Sequence, residues 1–312
     1  MNKKFSAFKY LRYTKSFTWS RSLSKKGIPI SDFSVDKKNN RVYIRSAKHY
    51  FSFGSFPVFF NGYSKYYWKI TDFGGQFIFE NDKMFVKINE LSFRIETLEE
   101  LFIINEVFLE RMYKIESNSD YIVFDIGMNV GITSLYLSQF DNIKSIYSFE
   151  PLNPTYVCAL SNISRNPKYA NKIKVNNYGL SNVDKEIELD YDPNNRGNIG
   201  VKNTFVNNIK AKQIEKIQLR CASEVLKDFI QKNTEIKFIV KMDCEGSEYD
   251  IIEDLVKANM LSKFDIFMIE WHNMEAYKPR LLRLIDSFKE YSFRVLTVGN
   301  LEAEAGMIYC FK

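Results

Sequence analysis

The stretch Tyr121-Ile-Val-Phe-Asp-Ile-Gly-Met-Asn-Val-Gly131 decides how the rest of the chain is read. Tyr121 to Ile126 is a short apolar run of β-branched and aromatic residues, the composition of a buried strand. Asp125, Gly127, Asn129 and Gly131 then punctuate a tight turn, and Ile132 to Phe140 has the spacing of an amphipathic helix. Glycine lets the backbone turn sharply and admits a ligand where a Cβ would collide. A strand, a glycine turn and a helix N-terminus together make a nucleotide-type site. Glu150 follows the next strand, Lys144 to Phe149, where a carboxylate can accept hydrogen bonds from two ribose hydroxyls.

Two cofactors suit this plan. A dinucleotide needs G-x-G-x-x-G to lay its pyrophosphate on the helix N-terminus, and the chain has D-x-G-x-N-x-G instead. S-adenosylmethionine carries no phosphate, but its ammonium and sulfonium favour a nearby carboxylate such as Asp125. Gly127, Asn129, Gly131 and Glu150 complete the candidate cofactor site. Asn177, closing a third strand (Lys172 to Asn177), lies on the side an adenine would occupy. Taken alone, the loop also suits a plain buried strand-turn.

Ile236-Lys-Phe-Ile-Val-Lys-Met-Asp-Cys-Glu-Gly-Ser-Glu248 is a second buried strand, ending in acids and a glycine before a helix. Four segments, Val123 to Gly131, Phe149-Glu-Pro151, Lys241 to Glu248 and Ile269-Glu-Trp-His272, together resemble the FkbM-type methyltransferase family. The resemblance runs from about Glu99 to the C-terminus. It departs at Met128, where the family more often has alanine, and at Cys244, often apolar; neither side chain is chemically required. The resemblance implies a class I methyltransferase fold, an α/β Rossmann-like doubly wound sheet closed by an antiparallel hairpin. It also implies S-adenosyl-L-methionine as cofactor and hydroxyls of sugars, polyketides or surface glycans as acceptors.

Asp243 ends the fourth core strand and is expected to face the cofactor's methionine end or the reacting hydroxyl. Glu245 and Glu248 either join it or favour the N-terminus of the following helix, where acids meet its positive end. His272 is the expected general base, because imidazole titrates near neutral pH. Glu270 would orient its ring or position the acceptor, and Asp243 is the second candidate base. No metal ligand set is legible: two histidines (His49 and His272) and four separated cysteines do not make a Cys/His site.

Charge is uneven along the 312 residues. Residues 1–26 hold eight basic side chains and no acid, a charge of +8, so the remainder carries −2 of the net +6. Aromatic residues interleave this arm, which could lie on an anionic membrane, contact nucleic acid, or dock on its own domain. No run reaches the ~18 apolar residues of a membrane span, and the N-terminus lacks a secretory pattern. Dispersed cysteines suggest free thiols in a reducing compartment. A cytoplasmic location follows, with the arm able to hold the protein at the inner membrane face.

Three regions are expected: a basic aromatic arm (1–30), a β-rich accessory region (31–96) and an S-adenosylmethionine-dependent methyltransferase domain (97–312). In the second, Arg41 to Arg45, Tyr50 to Phe53, Tyr63 to Ile70, Gln76 to Glu80 and Met84 to Ile88 have strand composition. Thr97-Leu-Glu-Glu100 has capping-box spacing and opens a helix expected to reach Lys114. Lys185 to Tyr191 and Lys216 to Arg220 should pair across the polar segment Asp192 to Gln213, a candidate binding loop. An oxygen methyltransferase with a small-molecule or glycan acceptor is therefore the leading reading. The chain lacks the Asn/Asp-Pro-Pro-aromatic run of base-amine methylases, which argues against nucleic acid as substrate. The alternatives are a nicotinamide-dependent oxidoreductase, disfavoured by the glycine spacing, and a non-catalytic membrane- or nucleic-acid-binding module.

Overall fold

A computed structural model describes residues 3–192, 213–233, 235–272 and 278–312. The candidate binding loop therefore lies almost wholly outside the described residues. The chain divides into two compact units, Met1–Arg111 and Met112–Lys312. Among the described residues, no helix is long and apolar enough to cross a membrane.

The first unit begins with helices Lys3–Thr14 and Phe17–Lys25. Ser16 caps the second, its side chain accepting from the Trp19 amide. Trp19 and Leu23 are buried, and Tyr10 donates to the Ile28 carbonyl at 2.7 Å. The basic segment is thus part of this unit's core and not a detachable arm, although Phe8, Tyr13 and Phe17 stay exposed. Two three-stranded antiparallel sheets follow, Phe33–Asp36 with Arg41–Ile44 and His49–Ser52, and Gln76–Glu80 with Lys83–Ile88 and Leu91–Ile95.

Tyr63 to Ile70, expected as a strand, is helical instead: a π-turn over Tyr63–Tyr67 runs into the helix Trp68–Asp72. The buried side chains are Tyr63, Tyr66, Tyr67 and Ile70. Their spacing of three, one and three is one helix face, and the aromatic composition that reads as strand serves to fill a ring-rich core. His49 packs in that core against Phe51, Phe56 and Phe79. The capping box forms, with Thr97 accepting from the Glu100 amide and the Glu100 carboxylate from the Thr97 amide. The helix it opens, Leu98–Ile104, passes into a π-turn at Asn105–Leu109 and stops short of Lys114. It groups with the first unit, whereas sequence reading attached it to the second.

The second unit alternates strand and helix. Strand β1 (Tyr121–Ile126), helix α1 (Ile132–Ser138), β2 (Ile143–Phe149), α2 (Asn153–Ser164) and β3 (Ile173–Asn176) come first. A small side sheet of β4 (Gly179–Ser181), β5 (Lys185–Tyr191) and β6 (Gln213–Cys221) follows, with β5 and β6 antiparallel as the sequence suggests. Then come α3 (Ala222–Gln231), β7 (Lys237–Met242), α4 (Glu248–Lys257), β8 (Ile266–His272), α5 (Lys278–Glu290), β9 (Arg294–Val298) and β10 (Ala305–Phe311).

The central sheet has seven strands in the order β9-β10-β8-β7-β1-β2-β3. Six run in one direction, and β10 runs against them, antiparallel to both β8 and β9. Every residue of β1 is buried, as a central parallel strand covered on both faces requires. On one face Leu281, Leu284, Ile285 and Phe288 of α5 enter a core with Phe267, Ile269 and Trp271 of β8. The strand order reverses between β1 and β7. In an open α/β sheet, ligands bind in the crevice outside the carboxyl ends at that switch point.

Candidate active site

Three turns meet at the switch point: the one after β1, the end of β2 at Glu150, and the one after β7. Asp125 is fully buried. Its carboxylate accepts from the Ser134 hydroxyl and lies 3.1 Å from Lys241 Nζ, and Ser134 is linked in turn to Ser148 at 2.8 Å. Lys241, buried at 2% exposure, also donates to the Gly127 carbonyl at 2.6 Å. Burial alone would push its ammonium down, but the Asp125 and Asp243 charges hold it above its ordinary value. Asp125 therefore meets a protein cation beneath the loop. Together these contacts anchor the turn from below.

Gly127, Asn129 and Gly131 all have positive φ. A Cβ on Gly127 would stand 1.7 Å from the Asp243 carbonyl oxygen, so what glycine admits here is the neighbouring turn of the protein itself. Gly127→Ala adds overpacking to left-handed strain and is expected to cost about 2–4 kcal/mol, read as a lowered thermal midpoint. A midpoint unchanged from wild type would refute that packing. The Asn129 side chain accepts from its neighbour Val130 N at 2.7 Å, shaping the loop.

Glu150 is 6% exposed. One carboxylate oxygen accepts from Asn129 N and the other from Leu152 N, each at 3.0 Å. Burial is the main cause that pushes its pKa up to about 7, against the pull of these two amides. Each oxygen keeps a lone pair for a further donor, so the group fits two hydroxyls. Asn177, expected on an adenine, donates its amide to the Glu150 carbonyl at 2.9 Å and braces this turn.

Beyond β7, Asp243 is 33% exposed. His272, at the end of β8, has Nδ1 3.3 Å from Glu248 Oε1 and Nε2 3.7 Å from Glu245 Oε1. Glu248 is fully buried and also accepts from His272 N at 2.7 Å and Gly246 N at 2.8 Å. Glu248 thus holds both the backbone and the ring of His272. Burial would lower the ring's pKa, but Glu248, Glu245 and Asp243 raise it to about 10. Glu245 is itself pushed up, chiefly by burial, to about 8. Both ring nitrogens of His272, the expected general base, are thus turned to carboxylates. Asp243, Glu245 and His272 instead bring one ligand atom each within 4.8 Å of the others. That gathering is a candidate ligand set the sequence did not make legible.

The strand order and the crevice built at its switch point define the class I methyltransferase variant of the doubly wound fold. The FkbM methyltransferase domain family matches residues 125–295, just over half of the chain. The chain belongs to that family. Methyltransferase sdnD of Sordaria araneosa is 24% identical over 230 residues, covering 66% of this chain and 88% of its own length. The AMB antimetabolite synthetase AmbE of Pseudomonas aeruginosa is 25% identical over 228 residues, 62% of this chain, and the chain spans 10% of that protein. The crystal structure of methyltransferase FkbM from Methylobacillus flagellatus KT shares 16% identity. It covers 66% of this chain and 47% of its own, with a TM-score of 0.44.

Proposed function

We propose that this protein transfers the methyl group of S-adenosylmethionine to a hydroxyl oxygen of a sugar, glycan or glycoconjugate. The observation that carries this reading is the switch-point crevice, where the buried Glu150 carboxylate keeps an acceptor site on each oxygen. Those oxygens suit the two ribose hydroxyls, and the loop at 127–131 offers no phosphate-binding glycine spacing. The sulfonium supplies an activated methyl. The protein chiefly aligns the acceptor with the S–CH3 bond, and alignment contributes up to ~7–11 kcal/mol. An oxygen–carbon bond forms as the sulfur–carbon bond breaks, S-adenosylhomocysteine leaves, and the hydroxyl proton passes to Asp243. Among Asp243, Glu245 and His272, Asp243 is the most open to solvent. The test is mass spectrometry of cell-surface glycans with and without this protein. A missing increment of one CH2 supports the reading, and identical glycan masses overturn the acceptor class.

Ribose hydroxyls donate to ionised Glu150, so binding below about pH 7 must expel its proton. That costs about 1.4 kcal/mol per pH unit. Cofactor affinity is expected to rise with pH up to about 7 and level off above it. Glu150→Ala should weaken binding roughly 10- to 100-fold, since hydrogen bonds to charged groups contribute ~1.5–3 kcal/mol. Calorimetry showing unchanged affinity in the folded variant would remove Glu150 from the cofactor site.

A further inference from the structure

We propose that Asp243, Glu245 and His272 form a binding site for one divalent first-row transition ion, for which Mn2+ is the probe. The inference rests on the methyltransferase reading for its chemical purpose, but the geometry stands by itself. Two carboxylates and an imidazole from two strand ends bring their ligand atoms within 4.8 Å of one another. Two donors about 2.1 Å from one ion stand roughly 3–3.5 Å apart at tetrahedral or octahedral angles. His272 Nε2 and Glu245 Oε1, at 3.7 Å, are close to that already.

A second observation lies outside the three donors. Glu248, fully buried, accepts from the His272 backbone amide and faces Nδ1 of its ring. With Nδ1 facing Glu248, Nε2 is the ring nitrogen turned to Glu245. This carboxylate–histidine arrangement is the one that fixes the tautomer of metal-ligating imidazoles. One nitrogen with two oxygens suits Mn2+, Fe2+, Co2+ or Zn2+. Mg2+ and Ca2+ favour all-oxygen shells. When bound, such an ion would polarise an acceptor hydroxyl held beside it.

The experiment titrates Mn2+ alone into the full chain, following loss of the free-ion signal by electron paramagnetic resonance. S-adenosylmethionine binding is measured in parallel by calorimetry. The wild type is expected to take up one Mn2+. Glu245→Gln and His272→Asn should weaken uptake at least 100-fold, and Glu248→Gln 10- to 100-fold. If Glu248→Gln does not fold, Asp243→Asn at the more exposed position keeps the comparison, with circular dichroism confirming the fold. Uptake that ignores all these substitutions, or no uptake of Mn2+, Co2+ or Zn2+ by folded wild type, overturns the site. In that case the cluster is an ion-free acidic turn. Cofactor binding without ion uptake would sink the ion and spare the donor reading, whereas ion uptake without cofactor binding would do the reverse.

Discussion

Lys241→Met is expected to destabilise the second unit by about 3–5 kcal/mol, the usual consequence of removing one partner from a buried ion pair. The lysine is 2% exposed and Asp125 is fully buried. Without the ammonium, the Asp125 carboxylate keeps, among the described residues, the Ser134 hydroxyl, and the Gly127 carbonyl loses the lysine donor. For a unit of this size, each kcal/mol moves the thermal midpoint by about 2–4 °C, so a fall of roughly 6–20 °C should be visible. Adding Asp125→Asn to the variant should recover part of the loss, because a neutral amide needs no counter-charge. A single variant melting within about a degree of wild type would show that the pair does not hold the loop. The effect on function follows from the same contacts: the turn that carries Asn129 against Glu150 is fastened from below by Lys241.

This fastening was hidden in the sequence. An acid at the end of a strand reads equally well as a ligand contact or as one half of a buried pair, and only the register of β1 against β7 decides. That register places Asp125 opposite Lys241. Strand and helix alternation after Tyr121, the antiparallel closing pair and the capping box at Thr97 were legible, because each rests on local periodicity or on a short spacing rule. The helical Tyr63–Tyr67 segment was not, since aromatic content suggested a strand while burial followed a helix face. Helices Pro57–Gly62 and Ala222–Gln231 also escaped reading. At the site, the residue types were legible and their partners were not. Glu248 looked like a helix-start acid, and it does stand in the first turn of α4. Its buried carboxylate nevertheless reaches across to β8 and holds His272. Nothing local in Asp243-Cys-Glu-Gly246 signals that a histidine from another strand completes the cluster.

Asp243→Asn is expected to lower turnover by a factor of about 10²–10⁴, the range for loss of a general base, while the fold and cofactor affinity stay close to wild type. The side chain is 33% exposed and lies 3.9 Å from Lys241 Nζ, farther than Asp125 at 3.1 Å. Its amide replacement therefore leaves the buried pair intact and removes little structural energy. Removing Glu150 should show the opposite pattern, with weakened cofactor binding, because its carboxylate is the one read as holding the ribose hydroxyls. Asparagine can still accept a hydrogen bond from the acceptor hydroxyl, so the approach of the substrate is largely preserved. What it cannot do is carry away the proton as the oxygen–carbon bond forms. The readout is transfer of labelled methyl from S-adenosylmethionine into a glycan extract, with the donor constant measured separately by calorimetry. Turnover within about threefold of wild type would assign the proton to another group, and Glu270, which shares the His272 face of β8 by strand alternation, would be the next residue to replace.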